Sequence, residues 1–208
     1  MLELGVPEAR LKRMPPYRMR RLVDVAAAEF AAFGYENASL NRIIEHCEMS
    51  KSSFYYVLSS KAELFDFVVQ QLTEEVARHI SIPPAEFFTG PLFWPKLHDF
   101  FDELIAASDH QPALTLGRVF YSGPAPETTA VNATLAAAHA WVAEVVQVGR
   151  DARAVRDDLP AALQVTLVFR MLQVFDEWTV QRIDEFRAED LKALAGAQFA
   201  AIRRLLAP

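Results

Sequence analysis

Between residues 51 and 56 the chain reads Lys-Ser-Ser-Phe-Tyr-Tyr. At helical spacing Phe54 and Leu58, four apart, turn inward with Met49, which leaves Lys51, Ser52, Tyr55 and Tyr56 on the opposite face. That face carries one cation, hydroxyls and two adjacent aromatic rings, without a carboxylate. Surface helices ordinarily mix charges of both signs. This composition suits a polyanion with readable edges, and the second helix of a helix-turn-helix presents such a face to the DNA major groove.

Two short helices and a tight turn must hold that face out. Leu40, Ile43, Ile44 and Cys47 recur at i, i+3, i+4 and i+7 and define the inner side of the first helix. Ser39 stands at its N-cap, and after the break at Glu48-Met49 Ser50 caps the second. A preceding helix spans about residues 17–33, with Leu22, Ala26, Phe30 and Phe33 as its apolar stripe and Gly34 as its stop. Arg18, Arg20 and Arg21 sit in its first turns, where cations oppose the helix dipole, a placement that hints at an external anion. A fourth helix runs over about residues 60–80. Ser60 caps it, Glu63 completes a capping box, and Phe65, Val68, Leu72, Val76 and Ile80 make the stripe expected to link this module to the rest.

With these residues the chain resembles the TetR family of bacterial transcriptional regulators. The matching positions are Ala28-Glu29-Phe30, Phe33-Gly34-Tyr35, Ser39, Ile43, Met49-Ser50-Lys51, Phe54-Tyr55-Tyr56, Ser60-Lys61 and Glu63-Leu64, covering roughly residues 20–69. The resemblance implies that Ser39, Lys51, Tyr56 and Lys61 hold DNA phosphates while Ser52, Ser53 and Tyr55 lie nearest the base edges. It implies a palindromic operator bound by a homodimer, because one reader helix covers few base pairs. Two positions depart from the family pattern. Val57 replaces a usual histidine, and Glu48 replaces the usual turn glycine, where a left-handed non-glycine residue costs roughly 1–2 kcal/mol.

Charge is divided in keeping with that reading. Residues 10–61 hold nine Lys or Arg against five Asp or Glu, net +4, which leaves −10 to the rest of a chain whose total is −6. A basic module on an acidic body is the asymmetry expected when one end meets phosphate. Of 208 residues 52% are hydrophobic, which favours a packed globular protein over disorder. A single cysteine excludes an internal disulfide, and with no signal peptide or long apolar stretch a cytoplasmic protein without a membrane partner is expected.

The remaining chain reads as helices only, giving an all-α fold of about nine helices. The expected divisions are an N-terminal arm over residues 1–16 with Arg10, Lys12 and Arg13, a helix-turn-helix domain over 17–61, and an effector-binding and dimerisation domain over 62–208. Residues 81–95 carry four prolines and read as a connector whose rings pack down. Further helices are expected at about 96–108, 112–121, 127–153, 160–185 and 189–206. The resemblance implies a small-molecule effector in this body, lined by Phe100, Phe101, Leu104, Phe120, Tyr121, Trp141, Phe169, Phe175 and Trp178. Polar His98, Arg118, His139, Arg170, Asp176 and Glu177 are interleaved among them. The same rings could equally pack a helical core. The last two helices, with Leu163, Leu167, Met171, Leu191, Leu194, Gln198, Ile202 and Leu205, are the implied dimer interface; periodicity alone also allows them to close the monomer. No cofactor is expected. Sequence motifs of metalloproteases, serine hydrolases, P-loop proteins and dinucleotide enzymes do not occur, so the reading is a ligand-responsive regulator, with repression the expected mode and activation open. A helical small-molecule carrier or interaction protein without DNA binding is the alternative.

Overall fold

The computed structural model describes residues 11, 14–108, 111–124, 126 and 128–208, and among them nine α-helices. These are α1 (Pro16–Asn37), α2 (Leu40–His46), α3 (Lys51–Val57), α4 (Lys61–His79), α5 (Phe93–Ser108), α6 (Gln111–Tyr121), α7 (Thr129–Asp151), α8 (Ala161–Arg182) and α9 (Ala188–Leu206). Single 3₁₀ turns stand at Ala85–Phe88 and Ile183–Glu185. The all-α architecture expected from the periodicity is the one observed. Arg10, Lys12 and Arg13 of the expected arm, and Glu127 at the expected start of the seventh helix, lie outside the described residues.

Two compact units divide the chain. One holds the residues up to Glu75 together with Thr115–Asn132; the other holds Val76–Leu114 and Ala133–Pro208. In the first, Leu22, Ala26, Phe30, Ile43, Phe54, Leu58, Phe65 and Val68 are all but inaccessible to solvent. Phe65 makes edge contacts with Phe30 and Tyr35, at 5.0 and 5.3 Å between ring centroids. Leu11 is also buried, so the chain ahead of α1 already packs at that residue. Phe33, placed on the α1 stripe from its spacing, is instead half exposed, with the Arg42 guanidinium 4.4 Å over its ring. The backbone breaks there. Gly34 takes φ 69° inside α1, and a Cβ at that position would stand 2.7 Å from the Ser122 carbonyl oxygen. Ser122 in turn donates to the Ala31 carbonyl at 2.8 Å, and the Ala130 N–H donates to Asp66 at 2.6 Å, so segment 115–132 is tied to α1 and α4.

The second unit is built on Phe88, Phe93, Leu97 and Phe100 packed with Val142, Val145, Val146, Val165, Val168, Phe199 and Ile202. The proline-rich connector packs into this core through Ala85, Phe88 and Phe93, while Phe87, also expected to pack down, stays half exposed with the Lys96 ammonium 4.8 Å over its ring. Helix α5 begins three residues earlier than the sequence suggested. Pro95 lies in its first turn, where a missing N–H removes no helical bond. Gly149 is needed for close packing: a Cβ would come within 2.5 Å of Val155 and 2.7 Å of Phe93. Beside it, buried Gln164 accepts from Arg150 Nη1 at 2.6 Å and donates to the Arg156 carbonyl at 2.8 Å, which pins the loop between α7 and α8.

Candidate nucleic-acid interface

Hydroxyl caps set both ends of the helix-turn-helix. Ser39 Oγ accepts from the Arg42 N–H, and Ser50 Oγ accepts from the Ser53 N–H at 3.1 Å. Glu29, nearly buried on α1, braces the first cap. Its carboxylate accepts from the Ser39 N–H at 2.7 Å and from Arg42 Nε and Nη2 at 2.9 and 2.5 Å. Burial pushes this carboxyl up, but the Arg42 hydrogen bonds, the Ser39 N–H and the Arg42 charge outweigh it and hold it below its ordinary value.

The turn follows the reading of Glu48 as a residue in glycine's place: its φ is 54°. Its carboxylate accepts from Arg21 Nη2 at 2.8 Å, and the same guanidinium donates through Nε and Nη2 to the His46 carbonyl at 3.2 and 2.8 Å, closing the C-terminal end of α2. Cys47 is half buried beside this cap, and burial pushes its thiol up.

Helix α3 buries Phe54 and Val57 and leaves Lys51, Ser52, Ser53, Tyr55 and Tyr56 outward, with Tyr55 53% and Tyr56 59% exposed. Val57 therefore packs mainly into the core and offers no polar group to the reading face. Ser50, Ser52 and Ser53 form a cluster of hydroxyls, with Ser50 Oγ 2.9 Å from Ser52 Oγ and 2.8 Å from Ser53 Oγ. An open groove of about 600 Å³ runs along this surface, lined among others by Tyr17, Arg18, Arg21, Glu48, Ser52 and Tyr56. Its walls are rich in hydrogen-bond donors. The groove was not foreseen from sequence, nor was the part of Arg21 in it, because the pairing spans 27 positions.

Lys61 is more occupied than expected. Its ammonium donates to the Glu36 and Ala38 carbonyls at 3.0 and 3.2 Å and lies 4.7 Å over the Tyr35 ring, so it closes the end of α1. An ammonium has three donors, which leaves one beyond these two bonds. Ser60 caps α4 by accepting from the Glu63 N–H at 3.1 Å. The Glu63 carboxylate completes the box one residue earlier than expected, accepting from the N–H and the hydroxyl of Ser59.

In the second unit the residues expected to line a cavity divide by helix face. Phe100 packs with Phe88 and Trp141 at 6.0 and 5.4 Å, Phe101 with Phe199 at 5.2 Å, and Leu104 and Phe175 against the same core. Phe169 meets His139 edge-on at 5.1 Å. Phe120 and Tyr121, 6.3 Å apart, belong to the first unit. Trp178 departs from the expectation. It lies exposed on α8 in line with Leu163, Leu167 and Val174, its ring 5.8 Å from Phe186 and 4.8 Å under Arg182. Opposite that stripe, Asp176 shares the inward side of α8 with Val165, Leu172 and Phe169. Its carboxyl, crowded by protein although water still reaches it, is pushed up to about 6 by burial.

Of the residues expected at a dimer interface, Leu163 and Leu167 are exposed, and Met171, Leu191, Leu194 and Leu205 are partly so. Ile202 is buried in the core of its own unit, and Gln198 donates to Thr179 at 3.1 Å, tying α9 to α8. No helix among the described residues is long and apolar enough to cross a membrane.

Residues 22–68 match the family model of bacterial regulatory proteins, tetR family. Among solved structures, a TetR family transcriptional regulator from Chloroflexus aurantiacus is 20% identical over 96% of this chain and 98% of its own, with a TM-score of 0.65. SmeT, the repressor of the Stenotrophomonas maltophilia multidrug efflux pump SmeDEF, is 13% identical over 96% of this chain and 93% of its own, with a TM-score of 0.65. NalD, the secondary repressor of the MexAB-OprM multidrug efflux pump in Pseudomonas aeruginosa, is 14% identical over 92% and 97%, with a TM-score of 0.61. These likenesses establish a shared fold along the chain. No curated protein sequence matches it.

Proposed function

We propose, on the premise that residues 22–68 carry the amino-terminal domain of the TetR family of bacterial regulatory proteins, that the chain is a one-component transcriptional regulator which binds duplex DNA as a homodimer. The observation that carries this reading is the pair of outward tyrosines on α3, held by two capped helices and bordered by Lys51 and three serine hydroxyls. Lys51, Tyr56, Ser39 and the remaining donor of Lys61 take phosphates; Ser52, Ser53 and Tyr55 meet base edges. Two readers spaced by about 34–36 Å match successive major grooves on one side of a duplex, and the two-fold symmetry of a homodimer makes the operator palindromic. The exposed stripe of Leu163, Leu167 and Val174 on α8 supports the partner contact.

The second unit takes a small, mostly apolar effector. Supporting this are the aromatic side chains of α5, α7 and α8, with Asp176 on α8 as a carboxylate that protein crowds and water still reaches, a polar anchor of the kind such sites use. The effector releases DNA by preferring one conformer of the dimer. Repression is the mode, in line with the roles of SmeT and NalD. A mobility-shift assay with DNA flanking the gene tests the reading directly. Binding that Tyr55→Ala together with Tyr56→Ala abolishes is expected; a folded, dimeric protein that ignores duplexes at low salt identifies a helical carrier instead.

A further inference from the structure

The pair formed by Arg21 and Glu48 stands where the reading face meets the turn. Three features of it need a common account. Glu48 holds a left-handed backbone, φ 54°, in a position where glycine would be unstrained. Its side chain is far into solvent, 76% exposed against 47% for Arg21, so the ion pair is a weak one by itself. Both residues line the groove that Ser52, Ser53 and Tyr56 also line, so the pair faces the same surface as the reading helix.

The guanidinium itself is well positioned. Its Nε and Nη2 are fixed on the His46 carbonyl at 3.2 and 2.8 Å, which orients the planar group before anything else binds. The Glu48 carboxylate, 2.8 Å from Nη2, presents an anionic oxygen to that oriented group from the solvent side. A guanidinium donates to carboxylate and phosphate oxygens with the same geometry, so one can replace the other without the arginine moving.

We propose that Arg21 is a DNA-phosphate ligand whose seat is filled in the free protein by Glu48, so that duplex binding exchanges a carboxylate for a phosphate on one guanidinium. This rests on the DNA-binding reading above and adds to it a residue pair that tunes affinity. The exchange has a definite electrostatic signature. In the wild type the gain from neutralising one phosphate is offset by releasing a carboxylate beside the duplex. With Glu48→Gln the arginine arrives unpaired and the offset is gone.

The test uses the full chain and a mixed-sequence duplex of about 30 base pairs, enough for two adjacent half-sites. Affinity is measured across a salt series for wild type, E48Q, R21A and the double variant, with circular dichroism to verify folding. E48Q is expected to bind about 3- to 10-fold tighter at low salt, and the slope of log K against log salt is expected to steepen by about 0.9. R21A is expected to bind more weakly, and E48Q is expected to help less in the R21A background than in the wild type. If E48Q helps more in the R21A background, Arg21 only neutralises Glu48 and the exchange is wrong. An unchanged slope for E48Q overturns it as well, and this outcome needs no R21A protein should that variant fail to fold. Wild-type protein that binds no duplex at all overturns the DNA-binding reading and this inference together; wild-type binding with an unchanged E48Q slope overturns the inference alone.

Discussion

At the scale of single residues, Gly34 and Glu29 carry consequences out of proportion to their size. Gly34 meets two constraints at once, a left-handed φ and a neighbouring carbonyl 2.7 Å from where a Cβ would sit. Gly34→Ala is expected to lower stability by about 2 kcal/mol or more in urea unfolding, since φ 69° with ψ 168° is a region nearly confined to glycine, costing another residue on the order of 1–3 kcal/mol, and the Ser122 contact adds to it. Glu29 gives a pH dependence with a definite sign. Its carboxyl is lowered in the folded state from the ordinary 4.5, so the unfolded chain binds the proton more readily. The stabilisation is complete above the ordinary value and fades as pH falls through the lower folded value. Glu29→Gln is expected to cost roughly 2 kcal/mol at neutral pH and to flatten the acid limb of a stability-against-pH curve measured by denaturant. The strain at Glu48 was legible from the chain through the family resemblance, which puts glycine at that position of the turn. The partners of Arg21 and Lys61 were not. Each reaches carbonyls more than twenty positions away, and nothing in a local pattern encodes which backbone oxygen is left open.

The elements were easier to read than their contacts. Ser39, Ser50 and Ser60 each sit where a helix begins, so hydroxyl caps fixed three starts to within a residue. The start of α5 escaped because Pro91 and Pro95 both read as breakers, whereas the second is tolerated inside a first turn. At this scale Lys61 joins the end of α1 to the start of α4. Lys61→Ala is expected to do two separable things: to lower stability by about 1 kcal/mol through two lost carbonyl bonds, and to reduce the salt slope of DNA binding by about one unit. A loss of stability with an unchanged slope would confine the side chain to structural duty.

For the whole molecule, the α8 stripe is the feature that a solitary chain leaves unused. Leu163, Leu167 and Val174 expose apolar surface in a row while Val165 and Val168, on the other side of the same helix, are buried. Leu167→Glu is expected to leave helical content unchanged, to halve the mass seen in sedimentation, and to weaken operator binding far more than binding to a single half-site. A variant that sediments like the wild type would move the partner contact elsewhere. Whether the aromatic side chains of the second unit surround a ligand or only each other was beyond sequence, because both arrangements ask for the same apolar residues at the same helical spacing. A polar group among the rings is what would separate the two, and Asp176, on the side of α8 that carries Leu172 and Phe175 yet open to water, is the residue to test.

The clustered hydroxyls of Ser50, Ser52 and Ser53 bear on what kind of operator this protein can recognise. Each oxygen trades the roles of donor and acceptor by turning one torsion, so a guanine edge and an adenine edge present themselves to the same side chains on nearly equal terms. On the proposed DNA-binding reading, tolerance then lies where these hydroxyls meet the bases, and discrimination shifts to the thymine methyls that Tyr55 can touch and to the ease with which the duplex bends.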